Sequence, residues 1–145
     1  MFELNSLVFA SPRCTYSSSS LFKTLIYIPA PHGQIPCIFL QPHEDVQQRE
    51  SFQKHKVMLY FHGNAEDLGN TYQYMIQIRQ IFGFRIIAME YRGYGIYQEE
   101  KSSEAFLMDS LIVYDYIHKK MKIPESDIIV HGRSLGASPA SFIGS

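Results

Sequence analysis

Short apolar runs alternate along the chain with longer stretches in which apolar residues recur every three or four positions. Three of the short runs are almost wholly apolar and cover residues 57–61, 84–91 and 128–130. Runs of this length without polar alternation are typical of parallel strands buried on both faces. Two longer stretches, 68–82 and 103–120, have helical spacing, and Gly83 is expected to end the first as a C-cap. The pattern predicts three parallel strands joined by helices.

Each predicted helix has an apolar face that is expected to pack on the sheet. In the first helix this face comprises Leu68, Tyr72, Met75, Ile76 and Phe82. In the second helix it comprises Ala105, Met108, Ile112, Val113 and Tyr116. A third helix is expected over residues 137–143. Strands that alternate with helices in this way form a sheet covered on both faces.

A β-hairpin and an irregular arm are predicted ahead of the first buried strand. Residues 21–29 alternate toward β structure, residues 30–33 form a turn, and residues 35–40 return as an antiparallel strand. Residues 1–20 are polar and rich in serine, with no steady period, which predicts an irregular arm. The chain is therefore expected to consist of that arm and one partial α/β domain, residues 21–145, with a mostly parallel sheet.

The composition narrows the functional class. The 145 residues suit one domain, and a formal net charge of −1 argues against a nucleic-acid-binding protein, whose domains are usually basic. Two cysteines, Cys14 and Cys37, are too few for a disulfide framework, and no apolar run approaches the roughly 20 residues of a membrane span. His43, Glu44 and Asp45 invite a metal-site interpretation, but no second ligand cluster accompanies them, so a solvated loop is favoured.

Residues 132–136 have the spacing Gly-x-Ser-x-Gly between a predicted strand and a predicted helix. In that context the pattern indicates a nucleophile elbow, with Ser134 as the candidate nucleophile. Gly132 and Gly136 are needed because a β-carbon at either position would crowd the neighbouring strand and helix. The amide of Leu135, at the start of the helix, points at any oxyanion that forms beside Ser134. Alone the pattern is weak, since it arises by chance in roughly one chain in twenty of this length.

Two further motifs follow buried strands. His62-Gly63-Asn64 comes after the first strand and Arg92-Gly93-Tyr94-Gly95 after the second. Ligands of α/β sheets bind outside the carboxyl ends of the strands. The three motifs are therefore expected at one edge of the sheet, where they can form a single site.

These three motifs, in this order, resemble the α/β-hydrolase superfamily, and they are most similar to the serine hydrolases grouped as α/β-hydrolase domain 17-like and Bem46-like proteins. The resemblance covers residues 21–145 but only the N-terminal half of the family's fold. It implies that Ser134 is the nucleophile and that the backbone amides of Asn64 and Leu135 form the oxyanion hole. It gives His62 a structural role in bracing its loop. Glycines that shape the loops match Gly63, Gly93, Gly95, Gly132 and Gly136.

The resemblance implies hydrolysis of an ester, thioester or amide, with no cofactor and no metal. In the domain 17-like group it implies release of palmitate from cysteines of membrane proteins, so an acylated protein is the partner to expect. That group often has an N-terminal cysteine cluster for its own acylation, whereas this chain has only Cys14 there. A cytosolic location is expected, with peripheral membrane association as the open alternative. Glu90 stands where many relatives have Asp, and a tolerated change is the interpretation.

The rest of a catalytic triad is missing from the sequence. A serine hydroxyl needs a histidine base oriented by a carboxylate, and this superfamily orders them Ser, then Asp or Glu, then His. Residues 135–145 contain none of these types, and all six histidines come before Ser134. The chain is therefore expected to be inactive by itself, as the N-terminal portion of a hydrolase. The alternative is a non-catalytic remnant that acts as a binding module. A nucleotide-binding domain is not supported, since no dinucleotide-binding glycine motif or P-loop lysine is present.

Overall fold

The computed structural model of the chain describes residues 8–21, 23–42 and 54–145. The strands are β1 (Leu25–Ala30), β2 (Gly33–Leu40), β3 (Val57–Phe61), β4 (Arg85–Met89) and β5 (Ile128–Gly132). The α-helices are α1 (Leu68–Phe82), α2 (Ser103–Asp115) and α3 (Ala137–Gly144). A π-helical turn (Tyr116–Lys120) extends α2, and single 3-10 turns (Glu125–Asp127 and Ser134–Gly136) lie on either side of β5. His43, Glu44 and Asp45 lie outside the described residues.

The five strands form one sheet in the order β1-β2-β4-β3-β5. β1 and β2 form the predicted antiparallel hairpin, and β2 also runs antiparallel to β4. β3 is parallel to both β4 and β5, with Phe61 paired to Met89 on one side and to Gly132 on the other. The carboxyl ends of these three strands therefore lie side by side, and the loops that follow them start from one edge of the sheet.

Helices cover both faces of the sheet. On one face Leu68, Met75 and Ile78 of α1 pack against alternate residues of β3 and β4. On the opposite face the remaining alternate strand residues pack against α2 and α3. α1 begins at a capping box, in which Asp67 and Asn70 each bond the other's backbone amide, and it ends at Gly83 with a φ of 71°, as the sequence predicted.

The buried face of α2 differs from the predicted one. The residues of α2 that are buried are Phe106, Asp109, Ser110 and Val113, whereas Met108 is 53% exposed. As predicted, Val113 is buried and Ile112 and Tyr116 pack against the core. The prediction was wrong for Met108, and it missed Asp109 because it placed the acidic residue outside. Asp109 is buried because Arg92 and Tyr97 bond its carboxylate. Phe82, predicted to face inward from α1, is also half exposed.

β5 is only partly buried along its whole length. The sequence predicted a buried strand here, but among the described residues β5 pairs on one side only, with β3. Within the described ranges no helix is long and apolar enough to cross a membrane.

Residues 8–16, which we call the strap, contain no β-strand but pack against the rest of the domain. Phe9 and Tyr16, near its two ends, are buried. The ring of Phe9 packs edge-on against Phe106 of α2, with 5.7 Å between centroids. The strap therefore crosses the sheet edge from α2 toward the start of α1.

Candidate active site

Ser134 lies on the turn between β5 and α3 with a φ of 53°, in the left-handed region that L side chains rarely adopt. Its side chain is exposed. The turn requires glycine on either side, since a β-carbon at Gly132 would overlap the carbonyl of Gly136, and one at Gly136 would overlap the carbonyl of Phe61. The neighbouring amide of Arg133 donates to that same Phe61 carbonyl at 3.1 Å. The elbow is thereby held against the end of β3.

The loop after β3 is tied to the elbow by one carboxylate. Glu66 Oε1 lies 2.9 Å from Arg133 Nη1, and Glu66 Oε2 accepts from the Gly63 amide at 3.2 Å. A single side chain thus links the residue before Ser134 to the residue before Asn64. The pair is largely exposed on the Arg133 side, so its contribution is mainly to relative position rather than to stability.

The hydroxyl of Ser134 and the backbone amides of Asn64 and Leu135 have no hydrogen-bond partner among the described residues. Phe61, at the end of β3, pairs with Gly132, at the end of β5. The amides of Asn64 and Leu135 lie in the segments that follow these two residues. An exposed hydroxyl and free backbone donors at one edge of a sheet are elements from which an oxyanion site for acyl transfer can be built.

His62 is completely buried, and both of its ring nitrogens are engaged. Nδ1 is 2.8 Å from the Gly63 carbonyl, and Nε2 is 2.7 Å from Glu90 Oε1. The ring also stacks on Tyr91, with 3.9 Å between centroids. With both nitrogens occupied, His62 can hold the loop in place but has no free nitrogen to accept a proton from Ser134.

The other described histidines are also engaged away from Ser134. His131 stacks on Tyr60 and bonds the Tyr74 hydroxyl at 3.2 Å, and its partial burial lowers its pKa. His32 bonds the hydroxyl of Tyr97 near the hairpin turn. His118 bonds the Ile123 carbonyl, and His55 pairs with Asp127 before β5. None of the described histidines hydrogen-bonds to Ser134.

The loop after β4 is fixed by a buried carboxylate on α2. Asp109, which is 1% exposed, accepts from Arg92 Nε at 3.0 Å, from Arg92 Nη2 at 2.8 Å and from the Tyr97 hydroxyl at 2.8 Å. The hydrogen bonds that Arg92 donates to Asp109 raise the pKa of its guanidinium, and burial raises the pKa of Tyr97. Gly93 and Gly95 have φ values of 81° and 52°, so the sharp turns predicted there do use glycine conformations.

Sequence reasoning missed the role of Glu90. Its carboxylate is completely buried and accepts from Tyr16, His62, the Leu68 amide and the Tyr91 amide. The interpretation as a tolerated change understated the role of Glu90, because its side chain connects the strap, the loop after β3 and the start of α1. A charged residue at the end of an otherwise apolar strand was the available signal. Buried charges are kept only where donors satisfy them.

The described residues contain no group of three or more His, Cys, Asp or Glu side chains placed to hold a metal ion. The hydroxyl of Tyr60 is buried without a hydrogen bond of ordinary geometry among the described residues, although Arg133 of the elbow lies near enough to lower its pKa in part. Burial raises the pKa of Tyr60 to about 12, so it remains protonated at neutral pH.

The chain is similar in sequence to a lipase and in fold to an esterase and an α/β-hydrolase. No family model matches the chain. Over 94 residues it is 31% identical to the lysophosphatidylserine lipase ABHD12 of Danio rerio, an alignment that covers 63% of the chain and 24% of that protein. Its fold is similar to an α/β-hydrolase from Vibrio vulnificus, with a TM-score of 0.73, 19% identity, and coverage of 95% of this chain and 49% of that one. A hyperthermophilic esterase from Pyrobaculum calidifontis gives a TM-score of 0.63 and 17% identity, with 97% and 43% covered.

The chain thus spans about a quarter of the length of the lipase and less than half of each solved structure. The identities to the two solved structures are low, so those similarities concern the fold. The finer resemblance to the domain 17-like and Bem46-like group stays a prediction.

Proposed function

Because the chain has the α/β-hydrolase fold that its motifs predicted and is similar in sequence to a hydrolase of that superfamily, we propose that it acts in ester or thioester hydrolysis with Ser134 as nucleophile. One observation supports this above the others. Ser134 is exposed with a positive φ on a strand-to-helix turn, and the backbone amides of Asn64 and Leu135 at the same sheet edge have no partner among the described residues. Backbone strain of this kind persists where the surrounding structure fixes it, and it is concentrated at active sites.

In the proposed reaction the Ser134 oxygen attacks the acyl carbonyl as a base removes the hydroxyl proton. The carbonyl oxygen gains the negative charge of the tetrahedral intermediate, and the amides of Asn64 and Leu135 donate to it. Collapse of the intermediate breaks the bond to the alcohol or thiol, which leaves with the proton. Water then hydrolyses the acyl-enzyme by the same steps. Since no described histidine reaches Ser134, the base is a group outside the described residues, and this stretch alone is expected to be inactive.

The proposed substrates are acyl esters or thioesters. The similar zebrafish protein is named for a lipase acting on lysophosphatidylserine, which is a lipid ester. The motif resemblance points instead to acylated proteins, with release of palmitate from cysteine thioesters. Both classes present an acyl carbonyl to the same nucleophile and the same two amides. A cytosolic enzyme with peripheral membrane association is the location we propose for either substrate.

The alternative is a non-catalytic member of the superfamily that binds a partner. The observation that favours it is the absence, among the described residues, of any histidine bonded to Ser134. The two proposals differ in what they require of the amides of Asn64 and Leu135. A nucleophile site keeps them aimed at the same oxygen, whereas a binding module has no such requirement.

A test that needs no histidine is to replace Ser134→Cys in a Cys14→Ser background. A thiol with a pKa near 8.5 ionises without a partner base, so its acylation by p-nitrophenyl butyrate reports on the oxyanion donors. Cys14 is exposed and must be removed, whereas burial raises the pKa of Cys37 and keeps that thiol protonated. Alkylation by iodoacetamide, which forms no oxyanion, measures exposure and ionisation of the same thiol.

The matched control is Ser141→Cys in the same background, an exposed position on α3. We expect the ratio of acylation to alkylation rates at position 134 to exceed that at position 141 by about 100-fold, the size of one well-placed oxyanion donor. Equal ratios at the two positions would overturn the hydrolase proposal and favour the binding module.

A further inference from the structure

The side chain of Asn64 is bonded to the strap and to Tyr94. Its Oδ1 accepts from the Ala10 amide at 2.8 Å and from the Tyr94 hydroxyl at 2.5 Å, and its Nδ2 donates to the Val8 carbonyl at 2.7 Å. The backbone donor and acceptor on Ala10 and Val8 fix which end of the carboxamide is which. The carboxamide therefore pairs with the strap as a neighbouring strand would, through both its oxygen and its nitrogen.

The far end of the strap is anchored on the Glu90 carboxylate. The Tyr16 hydroxyl donates to Glu90 Oε2 at 2.5 Å. His62 begins the loop after β3, residues 62–67, which we call the oxyanion loop, and its ring bonds the other oxygen of the same carboxylate. Gly95 leaves the room for this contact, because a β-carbon there would overlap both Glu90 and the Tyr16 ring. Burial and the charge of Glu90 both raise the pKa of Tyr16, so the phenol stays a donor.

Two more side chains fasten the middle and the end of the strap. Lys101 Nζ donates to the Phe9 carbonyl at 3.2 Å and to Ser11 Oγ at 2.8 Å. Asp67, the N-cap of α1, accepts from both the amide and the hydroxyl of Thr15. These bonds join residues far apart in sequence, and each one ends on a loop at the carboxyl edge of the sheet.

We propose that the strap is a positioning element of the oxyanion loop, acting through the Asn64 carboxamide and the Tyr16–Glu90 contact. This rests on the proposed function, since it matters only if the Asn64 amide is an oxyanion donor. The strap bonds the carboxamide of Asn64, and Glu90 bonds the ring of His62, which lies two residues earlier in the chain. The backbone between these points, which includes the Asn64 N–H, is thereby fixed before a substrate arrives. Asn64 and Tyr16 are positioning residues and do not touch the reacting atoms.

The test uses the full chain with Cys14→Ser and Ser134→Cys as the parent. Serine at position 14 keeps a donor for the Tyr16 carbonyl that the Cys14 thiol bonds. Asn64→Ala removes the strap pairing but keeps the backbone amide, and Tyr16→Phe removes only the hydroxyl. We expect each to lower the ratio of acylation to alkylation rates about tenfold, since small misplacements of a catalytic group cost this much or more.

The matched controls are Tyr27→Phe and Gln34→Ala, on the hairpin. Both residues are exposed, and neither side chain has a hydrogen-bond partner among the described residues. We expect these variants to keep the parent ratio. Circular dichroism at the assay temperature identifies any variant that does not fold, and the two strap variants act at opposite ends of the segment, so one can replace the other.

The outcomes separate the two proposals. An unchanged ratio in Asn64→Ala and Tyr16→Phe, with the parent well above the Ser141→Cys control, overturns the strap inference and leaves the hydrolase proposal standing. Parallel falls in acylation and alkylation mean that the strap controls access to position 134, which also overturns the inference. A parent no faster than the Ser141→Cys control overturns the proposed function and this inference with it.

Discussion

The two halves of the sheet's carboxyl edge differ in how far their polar groups are satisfied. On the β4 side the buried carboxylates of Glu90 and Asp109 each accept three or more hydrogen bonds. At the elbow after β5 and the adjoining loop after β3, which together we call the β5 side, the Ser134 hydroxyl and the amides of Asn64 and Leu135 have no partner among the described residues. Buried polar groups must be paired, whereas groups that act on a ligand must be left free.

This difference separates stability from reactivity in one small region. The β4 side fixes three loops and the strap, and little there is available to a substrate. The β5 side presents free donors and a strained backbone, which the first side holds in place. Substitutions on the two sides are therefore expected to have different, and in one case opposite, effects on the free energy of unfolding.

The largest expected effect comes from filling the space beneath the elbow. Gly136→Ala would push a β-carbon into the backbone carbonyl of Phe61, which cannot rotate away as a side chain can. We expect a loss of unfolding free energy on the order of 4 kcal/mol, at the upper end of overpacking effects. The chain has no tryptophan, so urea unfolding followed by far-ultraviolet circular dichroism is the measurement.

Gly144→Ala is the control for that experiment. A β-carbon at Gly144, the last residue of α3, meets no atom within 4 Å. Here alanine is expected to stabilise the helix by up to about 0.5 kcal/mol. Similar losses at both positions would show that the elbow is not packed as the structure has it.

The next effect comes from breaking the satisfied side. Asp109→Asn leaves the Arg92 guanidinium without its carboxylate in a site where the acid is 1% exposed. We expect a loss of about 3 kcal/mol, as for other buried ion pairs from which one partner is removed. Asp115→Asn is the matched control, since that residue is 53% exposed and pairs with Lys119 across one helical turn. Its loss is expected to be about 0.3 kcal/mol, and equal losses would contradict the assigned burial of Asp109.

Local patterns explain why much of this structure could be predicted from the sequence. The strand at 57–61, the helix that ends at Gly83 and the glycines of the elbow all follow from features within a few residues of one another. Apolar runs, helical periodicity and turn glycines are signals of that kind. The fold class and the position of Ser134 on its turn depend on such signals.

The features that the sequence analysis missed depend on contacts between residues that are distant in sequence. Asp109 is buried because Arg92 and Tyr97 meet it, and Glu90 because Tyr16 and His62 do. No periodicity shows that a carboxylate will find donors up to 74 residues away. The docking of the predicted irregular arm has the same cause, since its contacts are made with loops that fold around it. Pattern reasoning places charges outside by default, and it fails where specific donors are supplied.

A smaller effect, of opposite sign, is expected at the nucleophile. Ser134→Gly removes a side chain from a φ of 53°, which L residues adopt at a cost. We expect the free energy of unfolding to rise by about 1 kcal/mol, even after the greater freedom of glycine in the unfolded chain is included. Ser141→Gly, on exposed helical backbone of α3, is the control and is expected to destabilise by about 0.5 kcal/mol. A loss at both positions would argue against strain at Ser134.

The smallest effect concerns His131, which lies on β5 just before the elbow. Its partial burial against Tyr60 and Tyr74 lowers its pKa, because the folded state disfavours the charged ring. Because the folded pKa lies below the unfolded value of about 6.5, the unfolded chain binds a proton at this ring more readily than the folded chain does. Protonation at low pH therefore favours the unfolded state. Stability from this site is therefore complete above about pH 6.5 and falls as the pH is lowered toward the folded pKa. We expect the ring protons of His131 to titrate below pH 6.5 by NMR, and His131→Gln to flatten the decline in unfolding free energy between about pH 6.5 and pH 5. A ring that titrates at or above its ordinary pKa would show that β5 is more open to water than its packing against α1 indicates.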